Sequence, residues 1–271
     1  MTQAGTERAG SARTMRVRRL LRVRVSLGFE LVAVASWIVL IALVMAGGPH
    51  GHGGAAHTHG TGGAAGPGGP APAGPAASGS LDLAMWTLMS VAMMLPAAVP
   101  VLEHVGTNSL RRRRQRAMAT FAAVFLAVWI GYGALLLWIA PLWARLPGEA
   151  VLASTLALAA GWQLTVHKRR ALRDCHRSSP LPPSGWPAVA GAGRFGLRHG
   201  GACLRSCWAL MLVMAVANGS GGGSGMLGWM VLLTGIVTTE KLARKPRRPT
   251  HLAAAVLAAA AVAVALAHGL A

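Results

Sequence analysis

The stretch Ala202-Cys203-Leu204-Arg205-Ser206-Cys207-Trp208-Ala209-Leu210-Met211-Leu212-Val213-Met214 opens a long apolar run with two thiols and continues it with two thioethers. Cys203, Cys207, Met211 and Met214 stand at i, i+4, i+8 and i+11. A helix turns through roughly 100° per residue, so the four side chains fall within one arc of a single face. Soft sulfur ligands stacked along a buried helix suit a soft metal ion, Cu(I) above all. The competing reading is packing. Met fills helix–helix interfaces as a flexible apolar side chain, and Cys packs as a small hydrophobe.

The rest of the chain says what kind of run this is. Of 271 residues, 54% are hydrophobic and only 12% charged, with a mean hydropathy of +0.49. Several windows can cross a hydrocarbon core of about 30 Å. The expected fold is therefore all-α, a polytopic bundle of seven transmembrane helices near 27–46, 81–103, 117–140, 149–166, 204–219, 226–241 and 251–269. Residues 1–26 form a basic tail, 47–80 an external loop, and 81–271 the main membrane domain. A basic n-region from Arg13 to Arg24 gives the first span a likeness to a signal peptide. Its apolar run is long for an h-region and no small-residue cleavage site precedes His50, so it reads as a retained helix.

Arginine placement sets the orientation. Arg16, Arg18, Arg19, Arg22 and Arg24 precede the first span, and the following loop 47–80 has no Lys or Arg. Basic clusters return at 111–116, 168–177 and 244–248, while the connections near 141–148 and 219–225 hold at most Arg145. This alternation predicts a cytoplasmic N-terminus. The net charge of +19 accordingly reads as topology signal and anionic-lipid contact rather than nucleic-acid binding. The lipid bilayer is the expected partner, and no nucleic acid is expected.

Several other residues carry chemistry. Met85, Met89 and Met93 recur at i, i+4 and i+8, and Met94 follows. Pro96 and Pro100 predict a kink, since neither can donate to the helical ladder, and Glu103 and His104 come next. Glu240 closes the sixth span beside Lys241. It is a candidate ligand or, equally, the partner of Lys241 or of a loop arginine. In the Gly- and Pro-rich loop, His50, His52, His57 and His59 form a cluster suited to loose external metal capture. Cys175 is expected as a free thiol in a basic cytoplasmic loop. All three cysteines fall on the reducing side of this topology, which disfavours a disulfide. There is no phosphate-binding loop, nucleophile elbow or His-Glu-x-x-His, and nothing points to an enzyme.

Four segments, taken together, resemble a known family. They are Trp86-Thr-Leu-Met89-Ser-Val-Ala-Met93-Met94-Leu95-Pro96 with Pro100; Ala160-Gly161-Trp162-Gln163-Leu164-Thr165 with Lys168 and Cys175; Cys203-x-x-x-Cys207-Trp208-Ala209-Leu210-Met211; and Trp229-Met230 leading to Glu240-Lys241-Leu242. In order and rough spacing they resemble DUF2182, bacterial integral membrane proteins described as predicted metal-binding proteins and sometimes labelled copper chaperones. The family pattern Cys-x-x-Cys-Cys-Trp is altered, with Ser206 at the middle Cys, and a Gly/Ser-rich insert separates Asn218 from Met226.

The resemblance and the residues together lead to a copper-handling protein of the bacterial plasma membrane. The ligands expected for Cu(I) are Cys203, Cys207, Met211, Met214, Met93, Met94, Glu240 and His104, and the expected protein partner is a cuproenzyme or another membrane protein. Zinc, or no metal, stays open. So do a structural or assembly role in a membrane complex and an ion- or proton-coupled transporter using Glu103 and Glu240.

Overall fold

The computed structural model describes residues 26–46, 75–110, 112–177, 186–220, 223–243 and 247–269, and its regular elements there are all helical. They are α1 (Ser26–Met45), α2 (Pro75–Thr107), α3 (Arg114–Trp143), α4 (Gly148–Leu164), α5 (Val166–Cys175), α6 (Trp186–Ser220), α7 (Gly223–Leu242) and α8 (Arg247–Ala267). The histidine cluster at 50–59 lies outside the described residues.

Helix α6 is the hub. It packs against α3, α4, α5 and α7, while α2 lies on α3 and α7, and α8 on α4 and α7. In a bilayer the apolar effect does not separate helix from lipid, so close packing and interhelical hydrogen bonds must hold such a bundle. Both are visible. On α6, Gly193, Gly196 and Gly200 turn toward α3, and a Cβ on Gly196 would stand 2.8 Å from the Phe121 carbonyl oxygen. Beside that contact Phe121, Phe125, Phe195 and His199 stack between the two helices. The indole of Trp86 donates to the Trp129 carbonyl at 2.9 Å and fills the space over Gly133, locking α2 to α3. Helix α1 is held to α2 by Trp37 Nε1 donating to the Ala92 carbonyl at 3.0 Å and by Ser26 Oγ donating to Glu103 at 3.3 Å.

Thr165 both ends α4 and starts α5. Its backbone is extended (φ −72°, ψ 151°) and its Oγ1 accepts the Lys168 N–H at 3.1 Å, an N-cap. The chain bends 70° there. Helix α5 is amphipathic: Lys168, Ala171, Leu172 and Cys175 face inward at i, i+3, i+4 and i+7.

Five of these helices are long and apolar enough to cross a membrane: α1, α2, α3, α6 and α8. The bent pair α4–α5 makes a sixth if counted as one broken span. Helix α7, which carries Glu240 and Lys241 in its last turn, is not among them. The boundaries also differ from expectation. Helix α2 runs through Pro96 and Pro100 to Thr107, so Glu103 and His104 are helical. The span expected at 204–219 begins at Trp186, because the glycine face of 193–200 finds a partner in α3. The expected basic loop after α4 is largely the helix α5.

The glycine contact yields a test. Gly196→Leu should lower thermal stability in detergent by about 1–3 kcal/mol through overpacking, whereas Gly161→Ala, with open space around it, should be near neutral. Equal behaviour of the two variants in a thermal scan would contradict the close α3–α6 approach.

Candidate metal centre

The ends of α4, α5 and α7 converge on the middle of α6. Cys203 and Cys207 lie one turn apart on α6, 0% and 1% exposed. The two side chains share one face of the helix. Ser206 Oγ stands 3.3 Å from Cys207 Sγ and donates to the Cys203 carbonyl at 2.8 Å, the back-bond that lets a hydroxyl sit inside a helix. Cys175 comes in from α5, buried, with its thiol near Ser206. The loop thiol of the sequence reading is thus a core residue. The amphipathic face of α5 carries it inward.

Two adjacent residues of α7 reach in different directions. Glu240 Oε2 lies 2.8 Å from Lys168 Nζ of α5, both side chains being out of solvent. Lys241 Nζ donates to Cys203 Sγ of α6 at 2.8 Å. Gln163, the only amide of α4 in this region, lies beside Glu240. Among the described residues Glu240 pairs with neither Lys241 nor an arginine, the alternative to ligation that the sequence offered. Lys168 is buried and Lys241 half-buried, and each has a fixed opposite or soft-basic partner, the condition under which charges survive in a low dielectric.

The thioethers line the same core. Met93, Met94, Met211 and Met214 are all fully buried, as are Met89 and Met230. Met211 and Met214 continue the Cys203–Cys207 face of α6. Helix α7, which carries Lys241 onto Cys203, also packs against the methionine-bearing α2. His104 is placed elsewhere. Its ring lies edge-on to Phe195, two turns of α6 before Cys203, and 3.2 Å from the Asn108 amide. Among the described residues no three His, Cys, Asp or Glu side chains converge as a ligand set. Any third donor to an ion held here by the thiol pair would have to be a thioether or a group that moves.

The family model described as PpoB2, copper chaperone, matches residues 83–264, well over half of the chain. The chain belongs to the PpoB2 copper chaperone family. No curated protein and no solved structure matches it. The matched region spans α2 to α8 and takes in the whole thiol–lysine–glutamate cluster. Membership agrees with the copper-chaperone label carried by the sequence resemblance, and a chaperone family points to a non-catalytic role.

Sequence reasoning gave Gln163, Lys168, Cys175 and Lys241 no place among the ligands: Lys168 read as topology signal, Cys175 as a loop thiol and Lys241 as a local partner of Glu240. One signal was available. Lys168 shares the inward stripe of α5 with Ala171, Leu172 and Cys175, and a lysine on an apolar stripe demands a buried partner.

The ion pair makes the next prediction. Lys168→Met should destabilise the protein by about 3–5 kcal/mol, because it strands a buried carboxylate. The double variant Lys168→Met with Glu240→Leu should recover most of that loss. Additive losses in thermal unfolding of the three variants would mean that the two groups do not interact.

Proposed function

We propose that this protein binds Cu(I) as cargo through the thiolates of Cys203 and Cys207 and passes it to a cuproenzyme at the bacterial plasma membrane. The observation that carries the reading is the buried thiol pair under the Lys241 ammonium, inside the region matched by a copper chaperone family. Charge arithmetic favours it. Two thiolates, one Cu(I) and one ammonium sum to zero, and the Lys168–Glu240 pair is neutral by itself. A loaded site would then leave no net charge in the low-dielectric interior. A divalent ion on the same two sulfurs would leave an excess positive charge, which disfavours zinc. Met211 and Met214, with Met93 and Met94 on α2, supply neutral thioethers along which the ion moves without burying further charge.

In this reading Glu240 is the anchor of Lys168 rather than a ligand, and His104 lies outside the first coordination shell. His50, His52, His57 and His59 capture ions loosely at the external face. The bundle crosses the membrane seven times with a cytoplasmic N-terminus, α4 and α7 completing the count, so the thiols face the reducing side. Ser206, standing where the resembling family has a third thiol, leaves room for Cys175 or a thioether as third ligand.

Two measurements test this. Protein purified from copper-supplemented cells should lose stoichiometric copper in the variant Cys203→Ser with Cys207→Ser. Met211→Leu, which conserves volume, should weaken binding and leave folding nearly intact. Full copper occupancy in the double serine variant would reduce the sulfur face to packing. Reporter fusions near residues 60, 112, 145, 185, 222 and 246 should alternate between external and cytoplasmic sides, and two successive fusions on one side would refute seven crossings.

A further inference from the structure

Helix α6, at 35 residues, is roughly 52 Å long at 1.5 Å per residue, far more than a hydrocarbon core of about 30 Å needs. Its C-terminal half is the apolar run with the sulfur face. Arg194 and Arg198 stand in its N-terminal half and Arg205 just past its midpoint, all exposed. At i, i+4 and i+11 they share one face of the helix. Between this stretch and the end of α5 lies a groove of about 880 Å³, lined by Arg177, Arg198 and Arg205 with Asp174 as its one acid, and walled by Phe195, Leu197 and Leu204. Asp174 reaches Arg205 at 3.4 Å and Arg177 at 3.8 Å. Among the described residues Arg198 forms no ion pair.

A second cavity, of about 360 Å³, lies on the other side of the Asp174–Arg205 contact and adds Arg170, Trp162, His167 and Trp208. Trp162 and Trp208 meet edge to face, their ring centroids 5.2 Å apart. Across the two cavities four guanidinium groups thus surround one carboxylate. Tryptophan pairs of this kind sit at the headgroup level of a bilayer, where an apolar ring and a polar edge are both satisfied. Leu197, 59% exposed next to an exposed arginine, fits the same depth. It is poorly placed against water and well placed against the first carbons of an acyl chain.

We propose that the groove between α5 and α6 binds an anionic phospholipid, its headgroup phosphate held by Arg198 and Arg205 and its glycerol and upper chains against Phe195, Leu197 and Leu204. Arginine offers a phosphate two parallel N–H donors, which makes it suited to this ligand, and basic pockets between membrane helices on the cytoplasmic side hold such headgroups. Gly201 and Ala202 form part of the groove wall and directly precede Cys203. A seated lipid would therefore cover the outer side of the thiol-bearing turn. The assignment stands whether or not the sulfur site carries copper.

Full-length protein in mild detergent, titrated with phosphatidylglycerol or phosphatidylcholine and read by native mass spectrometry, tests it. Phosphatidylglycerol should be retained several-fold better than phosphatidylcholine. Arg198→Gln with Arg205→Gln should abolish that preference, and Arg112→Gln with Arg113→Gln, which removes exposed charge elsewhere, should keep it. The single variant Arg177→Gln, at the solvent-facing edge, should reduce retention, and thermal unfolding run alongside identifies any variant that is not folded. An excess of inorganic phosphate should leave the lipid bound. The proposal is overturned if the two lipids bind alike, if the folded groove variants keep the preference, or if phosphate displaces the lipid and so assigns the groove to a soluble anion.

Discussion

The contact between Lys168 and Glu240, 2.8 Å long and sealed from solvent, is the constraint around which the rest of the centre is arranged. A buried lysine and a buried glutamate are each costly alone, and each removes the other's cost only while α5 and α7 are held in register. That register decides where Lys241 goes. The next residue along α7 cannot share the same partner, so its side chain crosses to α6 and rests on Cys203. One ion pair between two helices thereby places a cation on a thiol of a third. The 70° bend at Thr165 is part of the same device, because it swings α5 out of line with α4 and brings Lys168 and Cys175 inward.

The consequence for metal handling is a separation of roles. In the proposed function, tight, charge-matched binding would belong to the turn of α6 where Cys203 meets Lys241 and Cys207 follows one turn on. Weaker contact would belong to the fully buried methionines that continue the α6 face and line α2. Thioethers are neutral and soft, so an ion shifted from thiolate to thioether loses affinity without meeting a hard donor. A carrier needs that gradient. An immobile structural site would instead close its shell with a third and fourth strong ligand, and no such convergence of His, Cys, Asp or Glu exists among the described residues.

Much of this was readable from the chain and some was not. The all-helical class followed from composition, and the sulfur face of α6 from four residues spaced about one turn apart. What the sequence hid was tertiary. Residues 166–175 looked like a basic loop because four of them, His167 to Arg170, are charged or titratable in succession, and the inward stripe of Lys168, Ala171, Leu172 and Cys175 is short. The glycines of 193–200 argued against a helix by propensity, yet they extend α6 because α3 packs directly onto them. Glu240 beside Lys241 suggested a local pair. Adjacent helical residues point about 100° apart, and each found its partner on a different helix.

The central claim is that two thiolates of α6, not nitrogen or oxygen groups, hold the ion. Copper-edge X-ray absorption of the purified, copper-loaded protein tests it most directly. The account predicts Cu(I) in a first shell of sulfur only, with two or three scatterers. A shell containing nitrogen or oxygen, as His104 or Glu240 would supply, would contradict it.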